Sequence, residues 1–269
     1  MTHPLPAPGS RARIFIAGDS TAVSRPVSHL PMAGWAQALP LFLTDAVEVV
    51  NCARARASSK SFRERGRLQW ILENMAPGDY LIYGFGQIDW KPDPGLHTEP
   101  FGSFVEQMRA YATGVRARRG HPVLLLPFER RRVDRHGNVA RFLGDYPVAT
   151  RQLAREEHIP LVDLYGQSLA WWEELGPENS QHAFTYLRPG EPLQEIVQDA
   201  DNVHLRPEGA IECARYVARS LAEQRVIPAH WVRGLDVSSF SYDQLGWLDD
   251  ATFLERTKSR VSRNPVEGS

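Results

Sequence analysis

Three residues that together could perform nucleophilic catalysis stand near the two ends of the chain. Ser20 lies in Gly-Asp-Ser-Thr, directly after the apolar run 13–18, while Asp201 and His204 lie three residues apart in the segment 199–210. A serine hydroxyl is a weak nucleophile that needs a nearby base, and an imidazole base needs a carboxylate on its other nitrogen. A purely structural role for Ser20 is the alternative, because Ser at such a position commonly caps a helix or a turn.

The chain between these residues alternates strand-like and helix-like patterns. Apolar runs predict strands at 13–18, 47–53, 78–86, 121–128 and 160–165, and amphipathic stretches predict helices at 34–43, 61–75, 101–120, 146–159, 166–175 and 207–224. This alternation is typical of βαβ units and a parallel sheet. Ligands of such sheets bind outside the carboxyl ends of the strands, so we expect Ser20 and the segments 86–89 and 128–130 at one rim.

Composition excludes several classes of protein. With 269 residues, 42% of them hydrophobic, the chain can bury a full core, and a net charge of −1 argues against a dedicated nucleic-acid partner. No stretch approaches the length of a membrane span, and the first residues lack the apolar region of a signal peptide. Cys52 and Cys213 have neither disulfide-framework nor metal-type spacing, which favours a reducing compartment. We therefore expect a cytoplasmic protein without a membrane partner.

The organisation changes near residue 226. Residues 11–225 carry the alternating pattern and are predicted to form one domain, whereas 226–269 carries scattered aromatics and no further βα unit. So many aromatics do not suit a solvated tail. We expect this extension to pack back on the domain or on a partner subunit, which would make the protein a homodimer through 226–269.

Several sequence blocks resemble those of the SGNH/GDSL hydrolases, in particular the rhamnogalacturonan acetylesterase branch. They are Gly-Asp-Ser-Thr at 18–21, Gly-Trp at 34–35, Asn-Cys-Ala at 51–53 with the segment 57–62, and the segments 78–89 and 201–210. The likeness extends over roughly 13–222 and implies a flavodoxin-like three-layer α/β/α sandwich, here with a five-stranded parallel sheet. It implies Ser20 as the nucleophile, with Asp201 and His204 completing a catalytic triad, and no cofactor.

The oxyanion hole departs from the family pattern at two of its three donors. The family uses the amide of the nucleophile, a glycine amide in the second block and an asparagine side chain in the third. Arg56 stands at the glycine position, and Ile88 stands at the asparagine position in Phe-Gly-Gln-Ile-Asp. The amides of Ser20 and Arg56 are still candidate donors, and Gln87 takes the part of the asparagine if the alignment shifts by one residue. Otherwise the substrate class has changed or esterase activity has been lost.

Residues at the predicted rim are candidates for substrate binding: Asp19, Asp89, Trp90, Glu129 and Arg130. Arg130 has a bidentate fork suited to a carboxylate on an acidic sugar, whereas Arg131, Arg132 and Arg135 are expected in a solvated loop. No metal is expected, since the Asp93, His97 and Glu99 spacing matches no recognised ligand set.

These observations predict a serine esterase that removes acetyl, or another small acyl group, from a small carbohydrate substrate. Two alternatives stay open. One is a sugar-binding protein that has lost esterase chemistry. The other is a glycoside-cleaving enzyme that uses two of the rim carboxylates Asp19, Asp89 and Glu129, because that reaction needs two carboxyl groups at a defined separation.

Overall fold

Five parallel strands form the central sheet of the computed structural model, which describes residues 11–132, 138–186, 188, 191 and 200–258. The strands are β1 (Ala12–Ala17), β2 (Val47–Asn51), β3 (Tyr80–Tyr83), β4 (His121–Leu126) and β5 (Leu161–Asp163), in the spatial order β2-β1-β3-β4-β5. Each coincides with a predicted strand, so the predicted five-stranded parallel sheet is confirmed. The order changes direction at β1, which places the residues after β1 and β3 at the topological switch point.

Eight α-helices flank the sheet in the described part of the chain. They are α1 (Trp35–Ala38), α2 (Ser59–Glu64), α3 (Arg67–Asn74), α4 (Val105–Ala117), α5 (Tyr146–Glu156), α6 (Leu164–Asn179), α7 (Pro207–Glu223) and α8 (Asp250–Lys258). The predicted single helix over 61–75 is two helices, because Gly66 between them adopts a φ of 73°. The predicted helix over 34–43 is only the single turn α1 followed by a 3₁₀ turn that contains Pro40.

Alternate residues of the strands supply the cores of two helical layers. Ile14 and Ile16 belong to the core beneath α1 and α7, whereas Phe15 and Ala17 belong to the core beneath α2 to α5. Because successive side chains of a strand point to opposite faces, a strand buried on both faces must be apolar throughout. The result is the predicted three-layer α/β/α sandwich.

A short antiparallel hairpin lies outside the main sheet and was not predicted. It pairs β6 (Phe184–Tyr186) with β7 (Ala200–Leu205), and the main chain of β7 also bridges to Ala33. The sequence around Asp201 carries no period-two apolar alternation, so a strand there had no pattern to indicate it.

The described part of the extension packs against the sandwich. Trp231 is buried, and its carbonyl accepts a 2.8 Å hydrogen bond from the Thr44 amide. The Leu248 amide donates to the Arg25 carbonyl at 3.1 Å, just after the turn that contains Ser20. Association of two chains through 226–269 stays a prediction. Within the described residues, no helix has the length and apolarity that crossing a membrane requires.

Candidate active site

Ser20, His204 and Asp201 form one hydrogen-bonded chain at the carboxyl end of the sheet. Ser20 Oγ lies 2.9 Å from His204 Nε2, and His204 Nδ1 lies 2.6 Å from Asp201 Oδ2. The imidazole is 25% exposed and the carboxylate 13%, so solvent and a substrate can reach the histidine from one side. With the imidazole proton on Nδ1, the serine hydroxyl donates to Nε2, which is the arrangement of a nucleophile beside its general base.

The turn after β1 holds Ser20 in place through its neighbours. Asp19 is buried, and its Oδ1 accepts hydrogen bonds from the Thr21 amide at 2.9 Å and the Thr21 hydroxyl at 2.8 Å. Gly34 lies so close behind the turn that a Cβ there would be 2.3 Å from the Val23 carbonyl oxygen. This contact explains the Gly-Trp block, because only glycine lets the two backbones approach so closely.

Asp201 and His204 are both positioned by β7. The Asp201 carboxylate also accepts hydrogen bonds from the amides of Val203 at 2.7 Å and His204 at 3.0 Å. At the neighbouring residue, the Arg131 amide donates to the Asn202 carbonyl at 3.0 Å and its guanidinium donates to Asn202 Oδ1 at 3.1 Å. Arg131 is buried, and these hydrogen bonds connect the loop after β4 to the hairpin. The prediction that Arg131 lies in a solvated loop is wrong.

The charges around the triad favour an ionised Asp201. Desolvation acts to raise the pKa of Asp201, but the hydrogen bonds from His204 and Val203 outweigh it and leave the pKa below its usual value. Arg25, which the sequence did not single out, is buried and donates from Nη2 to the Ser20 carbonyl at 2.9 Å. Burial lowers the pKa of Arg25 to about 10, partly offset by attraction to Asp201, so it remains a cation at neutral pH.

Two backbone amides are available for an oxyanion. Arg56 has a φ of 60°, the left-handed conformation that favours glycine, at the position where the family pattern has glycine. Neither the Ser20 nor the Arg56 amide donates to an acceptor in the described ranges. The predicted pair of backbone donors is thus geometrically free, and its role in catalysis stays a prediction.

Gln87 does not have the freedom that the predicted oxyanion role needs. Its amide nitrogen donates to the Phe128 carbonyl at 2.8 Å, and its amide oxygen accepts from Arg130 Nε at 2.7 Å. We therefore correct the prediction: Gln87 positions Arg130 instead of replacing the asparagine. Ile88 is 7% exposed and packs without any donor to offer.

Arg130 and Trp90 form a partly exposed surface beside the triad. The Arg130 guanidinium lies 3.8 Å from the ring centroid of Phe142 and 5.9 Å from that of Trp90, and its Nη2 donates to the Gln87 carbonyl at 2.9 Å. Burial lowers the pKa of Arg130, while Asp19, Glu129 and Asp201 act to raise it. Trp90 is 39% exposed. Both residues are partly exposed, and the predicted contact of each with a substrate stays a prediction.

The three carboxylates predicted to face a substrate are instead buried and accept hydrogen bonds from neighbouring residues, so those predictions are wrong. Asp89 is fully buried and accepts hydrogen bonds from Ser59 Oγ at 2.5 Å, Thr98 Oγ1 at 2.9 Å and the Gly86 amide at 3.0 Å. Glu129 is also fully buried, and the amides of Arg130, Phe142 and Leu143 donate to it. With Asp19 holding Thr21, no pair of them faces solvent, which removes the basis for a glycoside-cleaving site.

No group of three or more His, Cys, Asp and Glu side chains suited to a metal ion occurs among the described residues. His97 Nε2 lies 2.9 Å from Glu99 Oε1, an exposed pair. Arg135 lies outside the described residues.

Comparison with known proteins gives a consistent group of relatives. No protein-family model matches the chain. Rhamnogalacturonan acetylesterase RhgT of Bacillus subtilis (strain 168) is 37% identical over 211 residues, which are 78% of this chain and 90% of that protein. YesY of the same organism, named a probable rhamnogalacturonan acetylesterase, is 35% identical over 78% of this chain and 92% of that protein. The crystal structure of the Bacillus subtilis protein YxiM superposes with a TM-score of 0.68 at 28% identity, covering 81% of this chain and 58% of that one.

Proposed function

The chain belongs to the rhamnogalacturonan acetylesterase branch of the SGNH/GDSL hydrolases, and from this membership we propose that it is a serine esterase that removes acetyl groups from a carbohydrate. The observation that carries the proposal is the hydrogen-bonded chain from Ser20 through His204 to Asp201 at the rim of the sheet. It supplies a nucleophile, a base and an orienting carboxylate in reach of one another.

The reaction follows from these contacts. Ser20 Oγ attacks the acetyl carbonyl carbon as its proton passes to His204 Nε2, and Asp201 stabilises the imidazolium through Nδ1. The bond from the acetyl carbon to the sugar oxygen then breaks, and His204 returns its proton to that oxygen. Water, deprotonated by His204, attacks the acetyl-serine, and acetate leaves as Ser20 regains its proton.

Charge on the carbonyl oxygen is stabilised by the amides of Ser20 and Arg56 in this proposal. Two fixed N–H groups are a sufficient oxyanion hole in other serine hydrolases, where they act in a site partly shielded from water. The missing side-chain donor at Ile88 makes the hole weaker than a three-donor one. We therefore expect slower turnover on small activated esters than the family pattern would give.

The named relatives suggest the substrate. RhgT carries the name of rhamnogalacturonan acetylesterase and YesY that of a probable one. We therefore propose an acetylated rhamnogalacturonan fragment as the substrate, with Arg130 and Trp90 contacting the sugar that bears the ester.

The two cysteines bear on the compartment. Because Cys52 and Cys213 are both free thiols, a reducing compartment suits the protein, and we propose the cytoplasm.

Covalent labelling and product release test the proposal together. A serine-directed phosphonate should add one label to the parent and none to Ser20→Ala, as read by intact mass. Asp201→Asn should lower kcat by about 10⁴-fold, since the wrong tautomer of the base is then favoured. If the parent binds acetylated oligosaccharide but releases no acetate and takes no label, the protein is a sugar-binding relative and the esterase proposal is overturned.

A further inference from the structure

The aspartate and the histidine of the triad lie in an irregular part of the hairpin. Phe184 of β6 pairs with Leu205 of β7, and Tyr186 pairs with Ala200. Only one residue lies between the two pairs on β6, whereas residues 201–204 lie between them on β7. Such a bulge bends its strand, re-aims side chains and leaves part of the ladder unpaired. Contacts other than regular strand pairing must therefore fix this catalytic bulge, residues 201–204.

A buried arginine directly follows the end of β7. Arg206 is 2% exposed and is the N-cap residue of α7. N-cap positions favour Ser, Thr, Asp and Asn, because their side chains accept hydrogen bonds from the first helix amides, and a guanidinium has no acceptor. Accordingly, the Arg206 side chain forms no capping hydrogen bond. Contacts outside α7, and not the start of the helix, account for an arginine at this position.

The hydrogen bonds of Arg206 connect the two strands at the ends of the catalytic bulge. Its Nη1 donates to the Tyr186 carbonyl at 2.9 Å, at the residue of β6 that pairs with the start of β7. Its amide donates to the Ala183 carbonyl at 3.0 Å, just before β6. Between these two bonds, Thr185 Oγ1 donates to the His204 carbonyl at 3.0 Å. Since Arg206 is two residues from His204, these contacts limit how far the imidazole can move relative to β6.

Glu191 holds the guanidinium of Arg206 in this place. Arg206 Nη1 donates to Glu191 Oε2 at 2.9 Å and Nη2 donates to Oε1, so the ion pair is bidentate. The Arg188 amide also donates to Glu191 Oε2, at 2.9 Å. The hydrogen bonds from Arg206 lower the pKa of Glu191 to about 2, against a smaller opposing effect of burial. The carboxylate is therefore ionised at neutral pH, and the buried guanidinium keeps its partner.

Tyr186, which receives the bond from Arg206, is fixed at its other end as well. Its hydroxyl donates to Asn202 Oδ1 and accepts a 2.8 Å hydrogen bond from Arg131 Nη1. Asn202 lies inside the catalytic bulge, between the aspartate and the histidine. One tyrosine thus contacts the middle of the bulge through its hydroxyl and the residue after β7 through its carbonyl.

Resting on the proposed esterase function, we infer that Arg206, held by Glu191, is a positioning residue for the general base His204. In the described part of the chain its side chain donates to Tyr186 and Glu191 and not to the triad, so it acts through the main chain of the bulge. Ser20 Oγ and His204 Nε2 are 2.9 Å apart, and a displacement of about 1 Å caused outside a site can cost about 10²-fold in rate. Loss of Arg206 should therefore lower kcat more than it weakens substrate binding.

Three single variants test this role, each assayed at a temperature at which circular dichroism shows it folded. On nitrophenyl acetate we expect kcat to fall about 30- to 100-fold for Arg206→Gln and about 3- to 10-fold for Glu191→Gln, with KM within about 2-fold of the parent. Arg215→Gln is the matched control. Arg215 is a buried arginine of the same helix that bonds to Glu212 and to the Leu235 carbonyl, and its loss should leave kcat at the parent value.

Two more variants show whether Arg206 and Glu191 act as a unit. If they do, the double variant of Arg206→Gln and Glu191→Gln should lose no more kcat than Arg206→Gln alone. Arg206→Lys keeps the charge without the fork, and its kcat should lie between those of the parent and Arg206→Gln. Losses that multiply in the double variant would contradict the claim that Glu191 acts by holding Arg206. If Arg206→Gln does not fold, Arg206→Lys and Glu191→Gln decide the question.

Proton NMR gives a readout that does not depend on turnover. The Nδ1 proton of His204, in its 2.6 Å hydrogen bond to Asp201, should give a downfield signal in the parent and in Arg215→Gln, and a shifted or broadened one in Arg206→Gln and Glu191→Gln. If folded Arg206→Gln keeps the parent's signal and kcat, or if Arg215→Gln loses as much, the inference is overturned and the esterase stands. If the parent releases no acetate, the proposed function fails, and the signal alone decides: a change confined to the Arg206 and Glu191 variants supports the positioning role, and an unchanged signal overturns it.

Discussion

Ile88→Asn is the substitution that tests the oxyanion hole most directly. Ile88 occupies the position at which the family carries a side-chain donor, it is 7% exposed, and Gln87 beside it is already bonded to Phe128 and Arg130. No other side chain adjacent to this position in sequence is free to donate. An asparagine amide there would add a third donor to the amides of Ser20 and Arg56.

The size of the effect follows from what one such donor contributes. Removing a single side-chain donor from an oxyanion hole costs about 10²–10³-fold in kcat, so installing one should raise kcat by about 10- to 10³-fold. The donor acts on charge that develops only in the transition state, and KM should therefore move less than kcat. Burial of an amide in place of an alkyl side chain should lower the free energy of unfolding by about 1–3 kcal/mol.

The assay is acetate release from an activated acetyl ester and from an acetylated oligosaccharide, at a temperature well below the melting point of the variant. Ile88→Val is the matched control: it trims the same buried side chain, costs about 0.5–1.5 kcal/mol of stability, and adds no donor. Its kcat should stay near the parent value.

Two results would refute the reasoning. If Ile88→Asn loses activity that the parent clearly has, while Ile88→Val keeps it, Ile88 is a packing or substrate-contact residue and another group already fills the hole. If both variants have the kcat of the parent in a folded protein, the position does not face the reacting oxygen.

Three further predictions rest on other contacts. Burial raises the pKa of Asp89 to about 6, above the roughly 3.9 of an unfolded aspartate. Between these two pKa values the folded protein holds a proton that the unfolded chain has released. The free energy of unfolding should therefore fall as the pH rises from about 4 to about 6. Urea titrations should show this slope in the parent and lose it in Asp89→Asn. Arg25→Lys replaces the guanidinium that donates from Nη2 to the Ser20 carbonyl with a shorter side chain of different donor geometry, so we expect kcat to fall about 10-fold or more with little change in KM, measured on the acetyl ester; equal loss in both parameters would contradict a positioning role. A chain that ends at residue 225 uncovers the apolar surface beneath Trp231, and light scattering and thermal melting should show aggregation or a lower melting temperature; an unchanged mass and melting temperature would show that 226–269 is dispensable.

The sheet and its layers were predictable because their signals are local. The inner strands β1, β3 and β4 are mostly buried on both faces, so they appear in the sequence as nearly continuous apolar runs, and the helices between show amphipathic spacing. Boundaries were less predictable. The break at Gly66 depends on one left-handed residue inside an otherwise continuous helical pattern.

The site was predictable only where the resemblance supplied the roles. Ser20, Asp201 and His204 lie where the blocks imply, but nothing in the spacing of a single sequence shows that they approach within hydrogen-bond distance. The errors concern charged residues. Asp89 and Glu129 are charged residues that follow strand ends, which is typical of a substrate-binding rim. In the structure, backbone amides donate hydrogen bonds to both carboxylates. The positions of those amides are set by tertiary packing, which sequence patterns do not encode. Arg25 was missed for the same reason.

The hydrogen bond from Leu248 to Arg25 links the first catalytic turn to a segment that is synthesised after the hydrolase domain. Ser20 and its partner His204 are 184 residues apart, so a ribosome delivers the nucleophile long before its base. Leu248, which secures the residue that holds the Ser20 carbonyl, follows later still. A nascent chain therefore carries no fully supported nucleophile until Leu248 has been added, and a chain that terminates between residues 225 and 248 has the whole sequence of the hydrolase domain but lacks this support.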